Sequence, residues 1–141
     1  MYQDLARTIN GTIKSFTPVI KGTTAAGTGT YARQVGWVRR QGIFVDAFFD
    51  VQWTAHSGAG ALYIELPYKT KNTDGAPWIG VIQPSSLGFG AGKTYLTING
   101  ISDTFRGEIW ANGTGVTTSA LSVASPGRLQ GHISYLGQEF S

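Results

Sequence analysis

Cysteine is missing from this 141-residue chain, and charge is scarce. Without thiols the protein has no disulfide, no iron–sulfur cluster, no thiolate zinc site and no cysteine nucleophile. Charged residues make up only 13% of the chain, and its 11 lysines and arginines are scattered, with Arg39-Arg40 the only adjacent pair. Nucleic-acid-binding proteins cluster such charge, so a net charge of +3 does not predict a nucleic-acid partner.

Long apolar runs are missing as well. None approaches the roughly 18 residues of a membrane span. Residues 1–7 lack the basic segment followed by an apolar stretch that marks a secretory signal. We therefore expect no membrane partner and synthesis in a cytoplasm.

Glycine and aromatic residues are abundant, and they favour short strands over helices. Glycine accounts for 20 residues and aromatic side chains for 12%, and both types rank low in helix propensity. The clearest element is predicted at residues 43–54, where the odd positions from Val45 to Trp53 are apolar while the even positions include Asp46 and Asp50. Such alternation is typical of a half-buried strand.

The remaining strands follow at short intervals, separated by turns. This rhythm predicts an all-β protein, an antiparallel β-sandwich or barrel, with a jelly-roll-like sandwich favoured. We place a single domain at residues 16–141 and a short N-terminal arm at residues 1–15. The predicted strands are 16–21, 31–34, 36–40, 43–54, 62–66, 78–83, 94–98, 105–111, 116–123 and 129–136.

One segment imitates a nucleotide-binding motif. Residues 88–94 read GFGAGKT, but a phosphate-binding loop needs glycine where this chain has Leu87, and a helix after the lysine. The following residues predict a strand, so we interpret the segment as a turn.

Candidate catalytic residues are equally weak. His56 and His132 lie far apart in the chain without ligand-type neighbours, so no metal site is predicted. Asp46 and Asp50 are about 13 Å apart along one strand, beyond the spacing of paired glycosidase carboxylates. We predict no cofactor and no enzymatic activity, with a glycan hydrolase as the lesser alternative.

Aromatic side chains on nominally polar strand faces are the most informative feature. Phe44 and Phe48 alternate with the apolar series of their strand, and Trp110 shares a face with Arg106 and Glu108. An aromatic residue in that position indicates a subunit interface, a platform for sugar rings or merely scattered apolar residues on the surface. We favour the interface, and keep the sugar platform as the alternative, on Trp37, Trp78 and Trp110.

A resemblance supports this interpretation. Residues 29–42 read GTYARQVGWVRRQG, residues 53–60 read WTAHSGAG and residues 62–68 read LYIELPY, preceded by Phe16-Thr17-Pro18. Together they resemble a β-domain that recurs in tailed-bacteriophage virion proteins. Three residues depart from that pattern: Trp37 and Tyr68, where it has Tyr and Phe, and Arg40, at a position that varies in it.

The resemblance implies a homotrimeric, jelly-roll-like virion component that adheres to copies of itself and to the major capsid protein. Because only a short arm precedes the β-domain, we expect a capsid decoration (cement) protein on the outer capsid surface, with a tail-fibre or receptor-binding protein as the alternative. Arg7, Lys14, Arg39 and Arg40 would then meet an acidic coat. The predicted interface residues are Leu5, Arg7, Ile9, Ile13, Phe16, Arg39, Arg40, Phe44, Phe48 and Trp110.

Overall fold

The computed structural model describes residues 12–85, 92–113, 119–123 and 126–138. Within these ranges the chain forms ten strands and no helix, which confirms the predicted all-β class. It follows that this part of the chain contains no helix suited to crossing a membrane. The strands are β1 (Thr12–Phe16), β2 (Ile20–Gly22), β3 (Gly29–Gln41), β4 (Phe44–His56), β5 (Leu62–Glu65), β6 (Trp78–Ser85), β7 (Tyr95–Gly100), β8 (Arg106–Asn112), β9 (Ser119–Ala120) and β10 (Gly127–Leu136).

All strand pairs are antiparallel and belong to one curled sheet. Its order is β1-β3-β4-β10-β6-β7-β8-β5-β2, and β9 pairs with β8. The two end strands of this order, β1 and β2, are consecutive in the chain and are joined by residues 17–19. Side chains of β3 and β4 hold β2 against the other end of the sheet: the Tyr31 hydroxyl accepts a 2.8 Å hydrogen bond from the Ile20 amide, and His56 Nε2 lies 2.7 Å from the Ile20 carbonyl oxygen. The sheet therefore curls around its inner face.

One hydrophobic core fills that inner face. The alternation in β4 determines which side chains enter it, because Val45, Ala47, Phe49, Val51 and Trp53 are all buried. Both halves of the sheet contribute to the same cluster, which supports a single folding unit. Further members are Ile20, Leu62, Ile64, Ile82, Leu96, Ile98, Ile109, Leu129 and Ile133.

Two inward-facing glycines let neighbouring strands pack closely. A Cβ at Gly80 would lie 2.3 Å from the His132 carbonyl oxygen and 2.7 Å from Ile98 Cγ2. A Cβ at Gly131 would lie 2.5 Å from Ile82 Cδ1. Larger side chains of the core occupy the space that both glycines leave.

The start of the sheet differs from the prediction. Instead of one strand over residues 16–21, the chain forms β1 and β2 with Thr17-Pro18-Val19 between them. Residues 12–15, which we assigned to the arm, pair with β3 from Thr12↔Arg40 to Ser15↔Trp37. Pro18 lies between the strands and not in an edge strand, and its carbonyl oxygen accepts a hydrogen bond from Gln34 Nε2.

The strand over residues 29–41 also differs from the prediction, which had two strands there. The chain runs through Val35 without interruption, with register shifts only between Thr30 and Arg33. Gly36 does not break β3, because the Phe16 ring packs where its side chain would be. Of the predicted strand at residues 116–123, the described part contains β9 alone.

Candidate functional site

Seven large apolar side chains stand exposed on the outer face of β1, β3, β4 and β6. They occur there because these strands have apolar residues at both odd and even positions, so only one of the two sets can reach the core. Trp37 is 53% exposed, Phe48 50% and Val81 69%. We call this set the apolar patch: Ile13, Val35, Trp37, Phe44, Phe48, Ile79 and Val81.

Strand register brings the middle of the patch into a row. Trp37 pairs with Phe48, Phe48 with His132, and His132 with Val81, across β3, β4, β10 and β6. The Phe48 and His132 rings stack at 4.4 Å with an interplanar angle of 14°. Four adjacent strands thus present a continuous apolar and aromatic row.

Ion pairs border the row on both sides. On one side, Arg39 Nη2 lies 2.8 Å from Asp46 Oδ2, and the Ser134 hydroxyl donates to Asp46 Oδ1 at 2.5 Å. The Ser134 hydrogen bond, together with Arg39, lowers the pKa of Asp46 below its ordinary value. This carboxylate is therefore already satisfied within the chain.

The second border centres on Asp50. Arg128 binds both of its carboxylate oxygens at 2.9 and 2.8 Å, and Arg33 Nε lies 2.6 Å from Oδ2. The Arg128 hydrogen bonds are the largest cause that lowers the pKa of Asp50, and Arg33 adds to them. Both carboxylates that flank the row are thus paired with arginines of the same chain.

Two open depressions flank the ridge that Trp37 and Phe48 form. One of about 270 Å³ is lined by Ile13, Arg39 and Asp46 as well as the two rings. The other, of about 310 Å³, is lined by Val35, Asp50 and Gln130 as well as the same two rings. Apolar surface and anchored charges therefore alternate across this face.

The outer surface of β7, β8, β5 and β2 has a different character. Lys21 pairs with Glu65 at 3.1 Å, and the Arg106 guanidinium lies 5.3 Å from the centre of the Tyr63 ring. The Asn112 amide donates to the Thr97 hydroxyl at 3.0 Å. We call these four strands the polar half, and β1, β3, β4, β10 and β6 the apolar half.

The structure unites four of the predicted interface residues and separates others from them. Ile13, Arg39, Phe44 and Phe48 lie together on the apolar half, beside Trp37. Leu5, Arg7 and Ile9 fall outside the described residues. Val35, Ile79, Val81 and His132 belong to the same surface although we did not predict them. The alternation of Ile79 and Val81 with Gly80 and Ile82 shows that the first two share a face. Because both faces of β6 carry apolar residues, the sequence does not show which face lies on the outside.

Arg40 does not face outward as its predicted role requires. It is 9% exposed, its Nε donates to the Gly42 carbonyl oxygen, and its Nη2 donates to that of Gln138. Its guanidinium also lies 4.5 Å from the centre of the Tyr68 ring. From Arg33 onward the odd positions of β3 point outward, so the adjacent Arg39 and Arg40 lie on opposite faces.

Three aromatic residues also have placements that limit their predicted roles. Phe16 and Trp78 pack against the core from the inner face. Trp110 lies on the outer face of β8, but it is half-buried and opposite Thr97. Of the three tryptophans proposed as sugar platforms, Trp37 alone is exposed.

One cluster combines serine, histidine and aspartate. Ser134 Oγ lies 3.2 Å from His132 Nε2 and 2.5 Å from Asp46 Oδ1, while His132 Nε2 is 3.7 Å from Asp46. The serine proton points to the carboxylate, so the histidine does not receive it as a general base would. The arrangement instead holds three side chains in place beside Phe48.

The other histidine has a structural position. His56 Nδ1 accepts a hydrogen bond from the Gly58 amide, and its Nε2 faces the Ile20 carbonyl oxygen. Among the described residues no group of three or more His, Cys, Asp or Glu side chains could hold a metal ion.

No protein-family model, curated protein or solved structure matches this chain. Its function must therefore be inferred from the chemistry of its surface.

Proposed function

We propose that this chain is a non-enzymatic structural protein of a tailed-bacteriophage virion, a decoration protein that binds the outer surface of the major capsid protein lattice as a homotrimer and stabilises the head. The apolar patch is the observation that carries the proposal. Its side chains offer roughly 100 Å² each and about 700 Å² together, a large exposed apolar area that is interrupted by the Arg39–Asp46 ion pair. A surface of this kind is suited to adhesion.

The magnitude of the patch is sufficient for assembly. At roughly 25 cal/mol per Å², covering it would contribute on the order of 15 kcal/mol before the cost of association. Many copies on one lattice add avidity without new contacts. The proposal includes a jelly-roll-like sandwich, which is supported by the antiparallel strands and by the single core between the two halves of the curled sheet.

Immunogold electron microscopy of intact particles tests the location. An antibody against this chain should label the heads evenly, as an antibody against the major capsid protein does. Label confined to the tail would replace the decoration role with a receptor-binding role. Absence of the chain from purified particles would contradict both.

A receptor-binding protein that recognises host-surface glycan is the second candidate, because Trp37 is exposed beside hydrogen-bonding groups of Arg39 and Asp46. Sugar rings stack on such aromatic side chains, while charged neighbours bind their hydroxyl groups. If this is the role, a glycan array gives a hit that Trp37→Ala removes. Tyr95→Ala is the matched control, since Tyr95 is 52% exposed on the polar half. A hit that survives Trp37→Ala would contradict it.

A further inference from the structure

We infer that the apolar patch is the surface through which copies of this chain bind one another. The inference deepens the proposed function and rests on it for the number of copies. It assigns the patch to the contact between copies, so the patch supports the homotrimer of the proposed function, and the contact with the capsid falls outside the patch and outside the polar half.

The area of the patch fits an interface between proteins. A standard interface buries about 800 Å² on each partner, and the exposed apolar side chains present roughly 700 Å² in all, which two neighbours of a trimer would share. Aromatic residues and arginine are enriched in such interfaces. Trp37, Phe48 and Arg39 occupy the middle of the patch.

The ion pairs beside the patch favour a second copy of the chain over a strongly charged partner. Asp46 is paired with Arg39, and Asp50 with Arg33 and Arg128, all within one chain. A face whose carboxylates are already satisfied offers little attraction to a basic partner. It can be buried against an identical face without leaving those carboxylates unpaired.

The shape of the face is compatible with this occupant. Trp37 and Phe48 form a ridge between depressions of about 270 and 310 Å³. A ridge beside a depression can receive the ridge of another copy, as interdigitating side chains of packed sheets do. In a homotrimer the three patches converge on the three-fold axis, where each one is shared between two neighbours.

Sedimentation equilibrium of the full chain tests the inference. As the chain concentration is raised to about 100 µM, the measured mass of the wild type should reach that of a trimer, three times 15.1 kDa. Phe48→Asp should raise the dissociation constant about 30-fold or more, since a charge replaces a central aromatic residue. Phe105→Asp should leave the mass unchanged, because Phe105 is similarly exposed, at 46%, beside the polar half.

A second variant guards against misfolding. Val81→Lys introduces a charge into a different strand of the patch, at a side chain that is 69% exposed. It should weaken the assembly as Phe48→Asp does, while circular dichroism and the melting curve stay close to those of the wild type. A wild type that remains monomeric throughout, or an oligomer that withstands both patch variants, would overturn the inference.

The outcome is separable from that of the location experiment. Even label on the heads with a monomeric wild type would overturn the assignment of the patch and leave the decoration role standing. If the chain is absent from the virion but forms an oligomer that depends on Phe48, the decoration role is overturned and the assignment of the patch stands.

Discussion

The two halves of the sheet are built alike on the inside and differ on the outside. Alternate residues of β4 in the apolar half and of β8 in the polar half are equally buried, and all belong to one core. On the outer face, β3 and β4 present Trp37 and Phe48, whereas β5 and β8 present Glu65 and Arg106 in ion-pair or cation–π contacts.

This difference shows that the outer aromatic residues are not required by the fold of a single chain. Trp37 and Phe48 are half-exposed, so the isolated protein gains only part of the free energy that their burial could supply. The polar half demonstrates that the same curled sheet is built with a solvated outer face. The apolar patch is therefore best explained by contacts outside the chain.

The largest effect is expected in β6, the strand of the apolar half that pairs with the polar half. Gly80→Ala would place a methyl group 2.3 Å from the His132 carbonyl oxygen, so β6 would have to move away from β10. We expect a loss of about 3 kcal/mol in the free energy of unfolding, measured by urea denaturation. Gly100→Ala is the control, because its nearest contacts are side-chain atoms at 3.2 Å and the cost should be smaller. Equal stability of Gly80→Ala and the wild type would contradict the close packing of β6 in the core that the two halves share.

A smaller effect is expected at Asp50, on the border of the apolar patch. Asp50→Asn removes the charge that holds Arg33 and Arg128, at a cost of about 1 kcal/mol at neutral pH. Because folding lowers the pKa of Asp46 and Asp50, their contribution is fully present above their unfolded value of about 3.9. It is lost as the pH falls through the lower pKa of the folded state.

Thermal melting between neutral and strongly acidic pH measures this contribution. The melting temperature of the wild type should fall below about pH 4. The Asp50→Asn variant should start lower and fall less steeply in acid. Parallel profiles for the two proteins would show that Asp50 does not anchor the border of the patch.

The smallest effect is expected in the polar half. Glu65→Gln removes the ion pair with Lys21, whose side chains are 43% and 29% exposed. Exposed pairs contribute little, so the free energy of unfolding should change by no more than about 0.5 kcal/mol. A cost as large as that of Asp50→Asn would show that ion pairs contribute equally to stability in the two halves.

The sequence predicted the strands well and the outer surface only partly. The regular alternation of β4 placed Val45 to Trp53 in the core, which the structure confirms. Strand alternation already places Arg39 and Arg40 on opposite faces. Which of the two faces inward could not be predicted, because one partner of Arg40 is the carbonyl oxygen of Gln138, 98 residues away. Trp78 and Val81 were ambiguous for a related reason: both faces of β6 are apolar, and tertiary pairing alone decides which one is covered.

The most direct test of the adhesive surface is hydroxyl-radical footprinting of this chain in purified particles and in a dilute monomeric variant, Val81→Lys. Trp37 and Phe48 should lose reactivity several-fold in the particle, whereas Tyr95 and Phe105 should remain as reactive as in the monomer. Equal reactivity of Trp37 and Phe48 in both samples would contradict the claim that the apolar half is covered in the assembled virion.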